Sequence, residues 1–158
     1  MALDTIDAGK YEKFAEGFFR GDRRAFSSEA FRHLYGRFDG ITWYVQTILN
    51  RIWAHGCSLD SAQQVDDTVE ELVAEAESFY FDLLRSQTSA EQSILKAVGR
   101  EGVVESISGR DFIDRNKLPA ASTIRSAAAK LTERDLLYRT DAGYVVYDRF
   151  FGIWLKRL

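Results

Sequence analysis

Through most of the first 86 positions, apolar residues recur at spacings of three and four, the period of amphipathic helices. Tyr11, Phe14, Ala15, Phe18 and Phe19 trace one such stripe from Ala8, with Asp7 placed to cap it and Gly21-Asp22 to end it. Phe31, Leu34, Tyr35 and Phe38 trace a second, for which Ser28 is the expected cap. Gly40 separates it from "ITWYVQTILNRIWAHG", where Tyr44, Ile48 and Ile52 run beside Val45, Leu49 and Trp53. So broad an apolar arc predicts a helix at the centre of a bundle, stopped at Gly56. Asp60 or Ser61 then opens a long helix toward Ser86, with Val65, Val69, Leu72, Val73, Ala76, Phe79, Phe81, Leu83 and Leu84 turned inward. Four helices with short connections predict an N-terminal helical bundle.

From Ser89 the pattern shortens. "SAEQSILKAVGREG" predicts a helix packing through Ile94, Leu95 and Val98, and "ISGRDFIDRNKL" another, capped by Ser108. Pro119 suits the opening of a third, "ASTIRSAAAKLTERDLL", whose inward residues are Ile124, Ala127, Ala128 and Leu131. Two extended pieces, 136–139 and 144–147, flank the turn "TDAG", and Asp148 caps a last amphipathic helix. Three helices followed by a β-hairpin predict a winged helix-turn-helix. The chain is thus expected to be mainly α, with a lid-like helical bundle over residues 1–88 and the winged domain over residues 89–158. Its last residues include Phe150, Phe151, Trp154 and Leu155, whereas a fraying terminus is ordinarily polar. This final helix is therefore expected to dock on its own domain.

Of 158 residues, 46% are apolar and 28% charged, ordinary for a globular chain long enough to bury a core. The net charge of −3 conceals an asymmetry: nine Lys/Arg against fifteen Asp/Glu up to residue 88, then twelve against nine. That basic excess falls short of what makes nucleic-acid binding the default expectation. One cysteine, Cys57, excludes an internal disulfide. With no leader-like or membrane-spanning apolar run, the expected address is the cytoplasm, with no membrane partner.

The stretch "DRNKLPAASTIRSAAAKLTERDLLYRTDAGYVVYDRFFGIWLKRL" resembles the C-terminal winged helix of prokaryotic AAA-like ATPases of the signal-transduction (STAND) type. Ser122-Thr123, Leu131, Leu136-Leu137, Tyr144 and the ending from Tyr147 to Phe151 with Trp154-Leu155 carry that resemblance. "FDGITWYVQTILNRIW" is similar to the family's lid helix and "YEKFAEGFF" to the helix before it. The resemblance implies a parent protein whose P-loop ATPase domain, preceding this chain, binds ATP and Mg. It also sets Gly40 and Thr42, in the lid turn, near that nucleotide; many relatives have proline where Thr42 stands. No G-x-x-x-x-G-K-[ST] occurs in this chain, so it has neither the backbone cradle nor the lysine that grip phosphates. The expectation is a non-catalytic C-terminal fragment, lid plus winged helix, with no cofactor of its own, coupling nucleotide state to a protein partner.

Other chemistry is sparse. His33, His55 and Cys57 are too few for a zinc site, and Asp66-Asp67 and Glu70-Glu71 read as a solvated helix face, so no catalytic or metal-ligating residue is assigned. The alternative function is DNA binding as a transcriptional regulator. With its apolar side inward, the third winged-domain helix presents Ser122, Arg125, Ser126 and Lys130, joined by Arg134 beyond it and Arg139 on the wing. Three nearby acids (Glu133, Asp135 and Asp141) would repel a phosphate backbone, which favours a protein-interaction role.

Overall fold

A computed structural model describes residues 4–158. Its order is α1 (Ala8–Gly21), α2 (Ser28–Arg37), α3 (Thr42–Ala54), α4 (Ala62–Glu75), α5 (Glu77–Arg85), α6 (Ser89–Glu101), α7 (Arg110–Asn116), α8 (Ala121–Glu133), β1 (Leu137–Thr140), β2 (Gly143–Val146) and α9 (Arg149–Lys156). Two compact units divide the chain, Met1–Leu72 and Val73–Leu158. That division falls inside α4. The single helix expected from Asp60 or Ser61 toward Ser86 is interrupted at Ala76 (φ −91°, ψ 1°), and α5 packs with α9.

In the first unit, Asp7 accepts the Lys10 N–H and caps α1 as expected. The cap of α2 is Ser27 rather than Ser28; its hydroxyl accepts from the Ala30 N–H, while Ser28 hydrogen-bonds Glu12. Phe19, Phe31, Leu34, Phe38, Ile48 and Val69 fill the core. The α1 stripe is narrower than its sequence suggests. Tyr11, Ala15 and Phe19 are buried, but Phe14 and Phe18 point outward, 72% and 55% exposed.

In the second unit, α6, α7 and α8 precede an antiparallel hairpin pairing Leu137 with Val146 and Thr140 with Gly143. A third short pairing, Val104 with Tyr144, ties the link after α6 to the wing through reciprocal N–H···O bonds of 2.9 and 2.8 Å. Gly143, at φ +138°, makes this possible, since a Cβ there would collide with the Val104 carbonyl. Ser108 does not cap α7; Gly109 holds that position with no side-chain bond.

The apolar tail folds back. Asp148 caps α9 by accepting from the Phe150 and Phe151 N–H groups, and Phe150, Phe151, Trp154 and Leu155 are all buried. They pack against α6, α5 and β2, with Trp154 stacked on Phe151 and met edge-on by Phe81. Tyr80 and Leu84 are the buried residues of α5, whereas Phe79, expected inside, is 64% exposed.

Candidate functional site

In a helix-turn-helix the third helix is held by its apolar side and offers the opposite side to a partner. Here Ile124, Ala127, Ala128 and Leu131 seat α8, and Ser122, Arg125, Ser126, Ala129 and Lys130 are exposed. The turn before it places Lys117 in the left-handed region (φ 52°), and its N–H bonds back to α7. Pro119 lies just ahead of the first helical turn. The side chains of Arg125 and Lys130 make no hydrogen bond or ion pair among the described residues.

Arg134 is placed differently. Its guanidinium donates to Gln87 Oε1 at 2.9 Å and to Glu91 Oε2 at 3.2 Å, closing α6 onto the exit of α8. Glu91 is 1% exposed. Thr88 and Glu91 form a reciprocal capping box at the start of α6, the Thr88 N–H donating to Glu91 and the Glu91 N–H to the Thr88 hydroxyl. Burial works against ionisation of Glu91, but the Thr88 backbone bond and the Arg134 charge outweigh it and hold its pKa below the usual carboxylate range. Arg134 is therefore occupied in holding the domain together.

On the wing, the Arg139 guanidinium lies 5.6 Å from the centre of the Tyr144 ring, and Tyr138 meets Tyr147 edge-on. Glu133, Asp135 and Asp141 are exposed close by in sequence. A second clamp joins α6 to α7: Arg115 donates to both carboxylate oxygens of Glu101, at 2.5 and 3.2 Å. That bond and the one from Asn116, against some burial, lower the Glu101 pKa.

The Gly40–Thr42 turn is in the first unit. Gly40 has φ +68°, and a Cβ there would meet the Tyr35 ring at 2.5 Å. Thr5 pairs with Ile41, and the Thr42 N–H donates to the Asp4 carbonyl at 3.1 Å. The Thr42 hydroxyl is enclosed without a partner. The chain's own backbone at Asp4 and Thr5 thus covers this turn.

His33 and Arg37 both bond Asp66, whose carboxyl, despite burial, is held below its usual pKa by those two partners. His55 and Cys57 are exposed after α3, where the Cys57 thiol contacts the His55 carbonyl at 3.6 Å. Among the described residues no three His, Cys, Asp or Glu side chains gather as a metal would require, and no helix is long and apolar enough to cross a membrane.

The family described as a probable winged helix domain matches residues 78–157, from the start of α5 to the end of α9. No curated protein and no solved structure matches the chain. The matched span takes in the capping box, the α8 face, the hairpin and the docked tail, and on that match the chain belongs to the winged helix domain family.

Proposed function

We propose that this chain is a non-catalytic interaction module, whose winged helix passes a conformational state to a protein partner. The observation that carries this reading is the state of the cations around α8. Arg134 is bound to Glu91 and Gln87, leaving Arg125 and Lys130 as the unpaired cations of that face, with three acids following. Such a face is poorly suited to a phosphate backbone. The resemblance to lid and winged-helix segments of AAA-like ATPases supports the finer form of the proposal, in which the state conveyed is that of ATP and Mg held by a preceding P-loop domain. Coupling of that kind needs the partner to contact the two nucleotide states differently.

DNA binding is the second reading, favoured by the exposure of Ser122, Arg125, Ser126 and Lys130 on one face. Fluorescence anisotropy with mixed-sequence duplex DNA at low salt separates the two. The expected result is no salt-sensitive binding. Binding that weakens with salt and is lost in Arg125→Ala and Lys130→Ala would replace the first reading with the second. The ATPase form is tested by the genomic reading frame, where a Walker lysine is expected upstream of the residue numbered 1.

A further inference from the structure

One strand edge of the winged domain lies open beside a cavity. Val104 gives both of its backbone groups to Tyr144, donating at 2.9 Å and accepting at 2.8 Å. The peptide units on either side of Val104 are trans, as no cis bond occurs among the described residues. A planar trans unit sets its C=O and its N–H on opposite sides. The Val103 C=O and the Glu105 N–H therefore point away from the hairpin, and neither makes a hydrogen bond among the described residues. Together they can clasp one residue of a parallel neighbouring strand, accepting from its N–H and donating to its C=O.

Val103, Val104 and Glu105 also wall a cavity of about 480 Å³, completed by the start of α7. That volume lies within the roughly 300–1,000 Å³ of ligand pockets. Val103, 50% exposed, offers it an apolar surface. Three carboxylates line it (Glu101, Glu105 and Asp111) against two guanidiniums, Arg110 and Arg115. Arg115 is held by Glu101, and Arg110 lies 3.6 Å from Asp114, which is not part of the lining. The wall is thus acidic in balance, and the Glu105 carboxylate has no ion pair or hydrogen bond among the described residues. An open backbone edge suits an extended chain, and an acidic wall suits a basic one. We propose that this edge receives an extended, lysine- or arginine-bearing segment of a partner protein, added as a strand beside residues 103–105. The segment's backbone answers the Val103 C=O and the Glu105 N–H, an apolar side chain covers Val103, and its cation meets Glu105. This proposal does not depend on what the α8 face binds.

Amide NMR of the full chain tests it, with a capped hexapeptide of alternating valine and lysine as the probe. In the free protein the Glu105 amide should exchange with solvent fast and the Val104 amide slowly. The peptide, at about 1 mM or below, should shift the Val103 and Glu105 amides and slow the exchange of Glu105. Replacing its lysines by glutamate, or methylating every one of its backbone nitrogens, should weaken binding about tenfold or more. Glu105→Gln and Asp111→Asn should each weaken it about two- to fivefold, with far-UV circular dichroism verifying the fold. A Glu105 amide already protected in the free protein overturns the proposal. So does an absence of shifts at residues 103 and 105, binding that survives the methylation or the exchange of charge, or binding unchanged in both variants.

Discussion

Gly99 sits where α6 passes closest to α9. A Cβ added there would stand 2.7 Å from the Leu155 Cβ and 3.4 Å from its Cδ1. The first contact is the decisive one, because the Leu155 Cβ is fixed to the α9 backbone and cannot rotate away. Gly99→Ala must therefore push two packed helices apart. Overpacking of this sort costs ~1–3 kcal/mol. Alanine in place of glycine inside a helix returns ~0.5–1 kcal/mol, so the net expectation is a loss of about 1–2 kcal/mol. Gly17 supplies the control: it lies within α1 with nothing inside 4 Å of an added Cβ, so Gly17→Ala should gain ~0.4–1 kcal/mol. Urea unfolding followed by circular dichroism measures both, and with m near ~2 kcal/mol/M the Gly99 variant's midpoint falls by about 0.5–1 M. Leu155→Ala should not rescue Gly99→Ala, since it keeps the colliding Cβ. If Gly99→Ala stabilises the protein as Gly17→Ala does, the close α6–α9 approach is wrong.

Trp154 is 1% exposed between Tyr80, Phe81 and Phe151, so Trp154→Ala should cost ~3–5 kcal/mol in the same urea titration. Glu91→Gln should cost ~1–3 kcal/mol by removing the charge that Arg134 and Thr88 answer, with half-exposed Arg134 keeping the loss at the lower end. Because the Glu91 pKa is lowered on folding, its contribution is present above the unfolded carboxylate pKa and disappears as pH falls through the folded value. Stability measured down an acid series should accordingly drop more steeply in the wild type than in Glu91→Gln; parallel curves would deny Glu91 this role. Gly40→Ala combines a left-handed backbone with a clash against Tyr35, and a loss of at least about 1 kcal/mol is expected in thermal melts.

The winged fold was legible in the sequence because its punctuation is local. Asp148 capping a greasy helix, Gly143 closing a hairpin and the alanine-rich face of α8 each declare themselves within a few residues. What escaped was set by contacts distant along the chain. Thr88 and Glu91 are recognisable as a capping box, but nothing in the spacing tells that Arg134, 43 positions beyond Glu91, completes it. Phe14 and Phe18 share the period of Tyr11 and Phe19, so helical spacing alone places all four inside; only the position of α3 decides which are covered. The same applies to Phe79. A period of 3.6 fixes the centre of an apolar arc better than its edges. The split of the long helix was not legible either: alanine is a good helix former, yet position 76 has a non-helical ψ of 1°.

The fate of the cations bears on function as well as on folding. Each Lys or Arg that reaches a phosphate adds about 0.9 to the salt slope of duplex binding. With six polar candidates reading as one footprint, four of them cationic, the sequence implied a slope of roughly −4. Arg134 bonds the buried Glu91 and would have to abandon that carboxylate, uncompensated, to meet DNA. Arg139 lies over Tyr144 and would give up that contact. Arg125 and Lys130 alone would then be left to meet a phosphate, and two contacts would limit any slope to roughly −2, too weak a hold to support DNA binding. A measured slope of about −4 would mean that the clamp between α6 and α8 opens on DNA. Glu91→Gln, which loosens that clamp in advance, would then strengthen binding instead of merely destabilising the fold.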